Sequence, residues 1–388
     1  MFIIEQAPAE YTDPWNLPFI ERMQTLNIGN RKVAYFYESA NNSTFRYRAY
    51  NMAQVLNAGD IQDVSASYFF LEDWQYFDLI ADTADLLVIC RSRYNHKINQ
   101  LITKFKVRNK RVLFDIDDFV FNTRFAHLVI NTLDQDAEKP EVWDDWFASI
   151  GRLGETLRFC DGAITTNSSL AARIHEFTGQ PVSIVPNFIN NEQLTLSDKI
   201  FASKKSLNFA RNDRITLGYF SGSPSHNLDY ALVTSALAEV MESDPRIDLL
   251  LVGYIDAGEA LKGFGSRIMR YPFHDYVNLQ RLIASVEFNL MPLQTNVFTN
   301  CKSELKYFES AIVGTLSIAS PTFTYGNAIQ DKVNGYIAQS HQWVSSIRYA
   351  ISNIDAYDEM ATVAYNDARN KYAWLYQRQT ILAALGID

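Results

Sequence analysis

Residues 215–230 read ITLGYFSGSPSHNLDY. The segment up to Ser221 carries no charge, as a strand buried on both faces requires. Gly222 to His226 then break the run, and a helix is predicted over 228–242. Strand, small-residue turn and helix together form the unit from which parallel sheets are wound. The unit recurs downstream. LLLVGY (249–254) and RIMRYP (267–272) lead into a predicted helix over 275–286, FNLMPL (288–293) into one over 302–313, and TLSIASP (315–321) into helices over 341–353 and 357–385.

The same alternation fills the first half. Its strands are VAYFYE (33–38), SASYFF (65–70), LLVICR (86–91), VLFDID (112–117), GAITT (162–166) and VSIVPN (182–187). Helices are predicted through 50–56 and near 73–84, 95–107, 141–159 and 168–177. The expected fold class is α/β, with two doubly wound Rossmann-like domains and a cleft between the carboxyl ends of their strands, where such sheets take ligands. Residues 1–32, interrupted by Pro8, Pro14 and Pro18, read as an N-terminal appendage. The first domain is expected over 33–189, a polar aperiodic linker over 190–213, the second domain over 214–370 and a closing helix over 371–388.

Composition sets the outer bounds. The chain has 388 residues, 47% hydrophobic and 20% charged, and its net charge of -9 argues against a nucleic-acid partner. Cys90, Cys160 and Cys301 lie far apart, with neither knuckle spacing nor an even disulfide set, which suits a reducing, cytoplasmic compartment. Glu5, Glu10 and Asp13 stand where a signal peptide needs a basic and then apolar run, so no such leader is expected. The longest uncharged stretch, Ser310 to Gln330, is broken by Gly314, Pro321 and Gly326, so no membrane span is expected.

Several residue groups carry candidate chemistry. Gly222 and Ser223, between strand and helix, either admit a phosphate to the helix N-terminus or form a plain capped turn. Lys302 and Ser303 fall in the first turn of a predicted helix, where a cation opposes the helix dipole unless an anion is bound; the alternative is a solvated lysine. Asp115, Asp117 and Asp118 end a strand of the first domain. They either orient or deprotonate an acceptor hydroxyl or cap the next helix, and metal binding is the least favoured reading. Arg46 and Arg48 follow the first strand and either bind an anionic acceptor or pair with nearby acids. His127, His175 and His274 have no metal spacing. Eight basic residues and no acid lie between Arg91 and Phe114, around the stripe Ile98, Leu101, Ile102 and Phe105. This segment, 91–111, is either a face for anionic lipid at the membrane periphery or a solvated surface over ordinary core.

The sequence from GYFSGSPSH through LLLVGY and YPFHDYVNLQRLIASVEFNLMPL to KSELKYFESAIVGTLSIASPTFTYGNAIQDKVNGYIA resembles the donor-sugar domain of retaining GT-B glycosyltransferases. This is the bacterial group 1, family 4-like set that builds surface polysaccharides, and the resemblance covers 215–388. ARNKYAWLYQRQTILAAL is similar to the helix that in that family crosses back to the first domain. TFRYRAYNM (44–52), SRYN (92–95) and FDIDDFVF (114–121) resemble, less specifically, the acceptor domain of a bacterial subgroup. The resemblance implies a nucleotide-diphosphate sugar as donor substrate, a glycan or lipid-linked glycan acceptor, no cofactor and no metal. It places Gly222 and Ser223 at the donor phosphates, Lys302 and Ser303 at the diphosphate and Glu309 at the ribose, with Lys302 and Glu309 governing donor binding rather than stability. On the acceptor side it leaves Arg46, Arg48 and Asp115, with Asp118 as the catalytic candidate. The family's first glutamate is replaced by Cys301, and its Arg and Lys clamp after the glycine turn is absent, with His226 as the candidate substitute. Rival readings are a non-catalytic partner subunit and a nucleotide-sugar epimerase or phosphorylase on the same fold.

Overall fold

The computed structural model describes residues 1–4, 7–136, 138–223 and 226–387. Glu5, used in the leader argument, and Pro224 and Ser225 of the glycine turn lie outside the described residues.

Two six-stranded sheets organise the molecule. The first contains β1 (Arg31–Tyr37), β2 (Val64–Phe70), β3 (Leu86–Cys90), β4 (Arg111–Asp115), β5 (Ala163–Thr165) and β6 (Val182–Ile184), in the order β2-β1-β3-β4-β5-β6. The second contains β7 (Ile215–Ser221), β8 (Ile247–Gly253), β9 (Ile268–Tyr271), β10 (Phe288–Met291), β11 (Leu316–Ala319) and β12 (Tyr336–Ile337), in the order β12-β11-β10-β7-β8-β9. Neighbouring strands pair in parallel throughout. Alternation along β1 explains the uninterrupted apolar runs. Val33 and Tyr35 enter one core layer while Ala34 and Phe36 enter the layer on the opposite face, so both faces demand apolar side chains. Each large side chain buried this way contributes about 1.5–3 kcal/mol.

Strand order reverses between β1 and β3 in the first sheet and between β7 and β10 in the second. A doubly wound sheet opens its ligand crevice at such a switch point. The chain leaving β1 and β3 carries Arg46, Arg48 and Arg91. The chain leaving β7 and β10 carries Gly222, His226 and Lys302.

Three expectations need correction. Residues 190–213 are no irregular linker, because Asn191–Ser206 is a helix whose cap Asn190 accepts from the Gln193 N–H at 3.0 Å. The described part of residues 1–32 is built into both domains rather than appended. Phe2 packs on Phe209 and Tyr357 in the second core, Ala9 exchanges hydrogen bonds with Asn278, and Trp15 packs between Phe45 and Tyr50 of the first domain and Tyr276 of the second. The closing helix is broken at Ala373, whose neighbours pair with Ile189 (Ile189 N to Tyr372 O, 2.8 Å; Trp374 N to Ile189 O, 2.9 Å). From there Arg378–Leu385 crosses to the first domain, burying Ile381 and Leu385, with Arg378 bonding the Leu56 carbonyl at 2.7 Å. Among the described residues no helix is long and apolar enough to cross a membrane.

Candidate functional site

The chain leaving β10 does not form the single helix expected over 302–313. A short helix, Val297–Asn300, is capped by Asn296, and a second, Leu305–Ala311, begins after a break. Lys302 and Ser303 sit in that break, so Lys302 and Glu309 do not share a helix. The first short helix reaches into the other domain. Phe298 and Cys301 are buried in the first domain's core, Asn296 Nδ2 donates to Thr132 Oγ1 at 3.1 Å, and Asn167 Nδ2 donates to the Cys301 carbonyl at 3.0 Å. Cys301, which the sequence resemblance set in place of a glutamate, therefore faces Ser169 of the first domain.

Lys302 is anchored across the cleft. Its Nζ lies 3.8 Å from Asp118 Oδ1 and 4.7 Å from the centre of the Phe298 ring. One turn further on, Lys306 lies over the Tyr219 ring at 4.9 Å. Burial pushes its ammonium down to about 8, with Lys302 adding to the shift and Asp229 opposing it. Sequence reading missed Lys306, although the spacing of four from Lys302 was the available signal.

His226 stands at the start of helix Asn227–Ser243 and bonds Asp229 Oδ2 at 3.3 Å. Burial drives its pKa down to about 4, against the pull of Asp229 and aided by Lys306 and Lys302. Burial thus favours the neutral imidazole at pH 7, and Lys306 is the second positive group here. Gly222 faces open space, so an added Cβ would meet nothing within 4 Å. Ser221 Oγ fastens the turn by donating to the Ser223 carbonyl at 2.8 Å. The Ser303 hydroxyl oxygen is buried without a partner among the described residues.

Glu309 is engaged by the first domain. Its Oε1 accepts from Tyr47 Oη at 2.6 Å, Gln193 Nε2 at 3.3 Å and Arg46 Nη2 at 3.4 Å, and the residue is only 7% exposed. Arg46 also lies over Tyr47 and Tyr276, at 4.1 and 4.2 Å from their ring centres. It belongs to a π-helical turn, Arg46–Tyr50, rather than a loop. An effect of Glu309 on stability follows, contrary to the sequence expectation.

Arg48 and Asp115 are not acceptor residues. Both are fully buried, and Arg48 Nε and Nη2 meet the two Asp115 oxygens at 2.6 and 3.0 Å, with Nη1 on the Val185 carbonyl at 2.8 Å. They tie β4 to the turn after β1 inside the domain. Even with Arg48 opposing the shift, burial lifts Asp115 to about 6.

Asp117 and Asp118 differ from Asp115 in facing the cleft, where Arg91 Nη1 reaches both at 3.1 Å and Thr44 Oγ1 at 3.3 Å. For Asp118, burial raises the carboxyl pKa, but Lys302 and Arg91 more than reverse this and hold it below the usual carboxylate range. Among the described residues no group of three or more His, Cys, Asp or Glu side chains is placed to hold a metal ion. His127, His175 and His274 form no site together.

The basic segment is largely neutralised. Lys104 and Arg108 pair with Asp78, Arg108 with Asp82, Lys106 with Asp161 and Arg93 with Glu38. Its stripe Ile98, Leu101, Ile102 and Phe105 is core, so that stripe is not presented to lipid.

Beyond the ends of β8 and β9, Tyr254 and Phe273 hold their rings 5.8 Å apart and stacked, though 52% and 45% exposed. Gly253 brings Tyr254 there: at φ 91 its backbone passes so close to Ser221 that an added Cβ would lie 1.9 Å from the Ser221 carbonyl oxygen.

No family model matches the chain, and no curated protein does. Solved structures do, and they define the architecture as the GT-B fold of glycosyltransferases. The chain is similar to HepE of Anabaena, crystallised with UDP and glucose, at 14% identity over 91% of this chain and 99% of that one, with a TM-score of 0.60. It is also similar to a glycosyltransferase of Rickettsia africae (12% identity, 91% and 96% covered, TM-score 0.58). A third similar structure is WaaG, a glycosyltransferase involved in lipopolysaccharide biosynthesis (14% identity, 91% and 100% covered, TM-score 0.56). At these identities the likeness establishes the fold.

Proposed function

We propose that the chain is a glycosyltransferase that moves a sugar from a nucleoside-diphosphate donor to a glycan or lipid-linked glycan acceptor in surface-polysaccharide synthesis, with retention at the anomeric carbon. The observation that carries this reading is the convergence of Lys302, Lys306 and the start of helix Asn227–Ser243 at the switch point of the second sheet. The shift of Lys306 to about 8 marks a cation lacking a full counter-charge, as a diphosphate site requires. UDP and UDP-glucose are found in crystals of HepE, which makes a UDP-sugar the first donor class to test.

In this reading the diphosphate lies between the two lysines and the helix N-terminus, which stabilise its charge as the bond from the anomeric carbon to the phosphate oxygen breaks. The nucleoside extends toward the Tyr254 and Phe273 rings. All three donors to Glu309 meet Oε1, so Oε2 is the oxygen left for a ribose hydroxyl. An acceptor hydroxyl enters from the Asp118 side. Paired with Arg91, the ionised Asp118 orients that hydroxyl, and the departing phosphate oxygen on the same face takes its proton.

A thermal-shift panel of UDP, GDP, ADP and dTDP with their sugars tests the reading. One nucleoside diphosphate and one of its sugars are expected to raise the melting temperature in a concentration-dependent way; no shift with any would overturn it. Cys301, turned toward the first domain in place of the family glutamate, favours a second reading, a non-catalytic partner subunit. That reading gains if a sugar nucleotide binds but no nucleoside diphosphate is released with any acceptor extract. Turnover of donor alone, or with inorganic phosphate, would instead indicate an epimerase or phosphorylase.

A further inference from the structure

Lys302 and Asp118 come from different domains, one leaving β10 and the other β4, yet their charged groups are 3.8 Å apart. Both side chains are largely but not wholly covered. Asp118 uses its two oxygens differently: Oδ1 faces Lys302, and Oδ2 accepts from Arg91 at 3.1 Å. Arg91 is itself fixed by Asp117 and Thr44, and it holds a backbone φ of 31, a left-handed value uncommon outside glycine. Strain of this kind persists where the surroundings over-determine a residue, and such residues cluster at functional sites.

Resting on the donor reading above, we propose that Lys302 is exchanged between the two substrates' sites. In the free protein Asp118 holds it; an arriving donor diphosphate takes it over and vacates Asp118 Oδ1 to accept the hydrogen bond of the acceptor hydroxyl. Arg91 is the positioning residue that keeps Asp118 in place through the exchange. A diphosphate carries more negative charge than one carboxylate, so it wins the competition for the ammonium. The acceptor's hydrogen-bond partner is then available only once donor is bound, which orders the reaction as donor first and acceptor second. Because coupling between two bound ligands is reciprocal, acceptor also tightens donor.

The test is calorimetric titration of the full chain with the tightest binder among UDP, GDP, ADP and dTDP, in wild type and in Asp118→Asn, Asp117→Asn and Lys302→Ala. Without its competitor, Lys302 is expected to bind the nucleotide about fivefold more tightly in Asp118→Asn, equivalent to about 1 kcal/mol, the upper end for a partly solvated ion pair. Asp117→Asn is expected to change affinity less than about twofold, and Lys302→Ala to lose about tenfold. Arg91 keeps Asp117 and Thr44 as partners when Asp118 is changed, and Asp118→Ser, with melting curves, guards against a local folding defect. Unchanged or weaker binding in both Asp118 variants, with the Lys302→Ala loss intact, overturns the exchange and leaves the donor site standing. Undiminished binding in Lys302→Ala, or no nucleotide binding by wild type, overturns both.

Discussion

Glu309→Ala is expected to destabilise the molecule because it strips a buried guanidinium of its counter-ion. Arg46 would keep the Asn42 carbonyl at 2.9 Å, Gln193 Oε1 at 3.2 Å and the faces of Tyr47 and Tyr276, all of them neutral. The 2.6 Å bond from Tyr47 to the carboxylate would be lost as well. Removing one partner of a buried pair costs about 3–5 kcal/mol, and the remaining contacts place this one near 3 kcal/mol. For a domain of this size that is a fall of about 6–12 °C in melting temperature. Glu309→Gln keeps an oxygen for Tyr47 but no charge, and is expected to lose about half as much. Calorimetric melting at pH 7 of both variants, of Tyr47→Phe and of the double mutant gives the coupling, expected between 0.5 and about 3 kcal/mol. Wild-type melting in Glu309→Ala, with no coupling to Tyr47, would refute this and return Glu309 to a purely donor-side role.

Three further outcomes are expected. Lys306 loses its proton near pH 8 in the free site and keeps it beside a diphosphate. Nucleotide affinity should therefore fall above pH 8, by up to about tenfold per unit, and Lys306→Arg should abolish that fall up to pH 10 in pH-dependent titrations. EDTA should leave transfer activity intact, because Lys302, Lys306 and a helix N-terminus are available to neutralise the diphosphate; loss on chelation restored by Mn²⁺ or Mg²⁺ would contradict this. Gly253→Ala should cost about 3 kcal/mol or more through its positive φ and the clash at Ser221, whereas Gly222→Ala, facing open space, should melt like wild type.

The strands were legible because both sheet faces are buried, so runs such as VAYFYE and LLLVGY carry their burial openly. Helix Asn191–Ser206 was not. It buries the spaced set Leu194, Ser197, Phe201 and Lys204, and two of those four are polar, so the periodicity was present but masked. Lys204 is accommodated by the Ala284 and Gly314 carbonyls, at 3.1 and 2.8 Å, partners remote in sequence. Arg48 failed for the same reason: its mate Asp115 lies 67 residues away, and nothing local distinguishes a buried arginine from a surface one. The candidate site was half legible. Helix-start chemistry singled out Lys302 and the glycine turn as candidates, although Lys302 stands in a break between two short helices, whereas Lys306, Arg91 and the Tyr47 bond to Glu309 depend on which strand ends the topology brings together.

The central claim is that Lys302 and Lys306 form the diphosphate site, and the most direct measurement is titration of the preferred nucleoside diphosphate into Lys302→Ala, Lys306→Ala and the double variant. Each single change is expected to weaken binding about tenfold and the pair about a hundredfold, at one charge-assisted contact of about 1.5 kcal/mol per lysine, with melting temperatures near that of wild type. Wild-type affinity in the double variant would contradict the account.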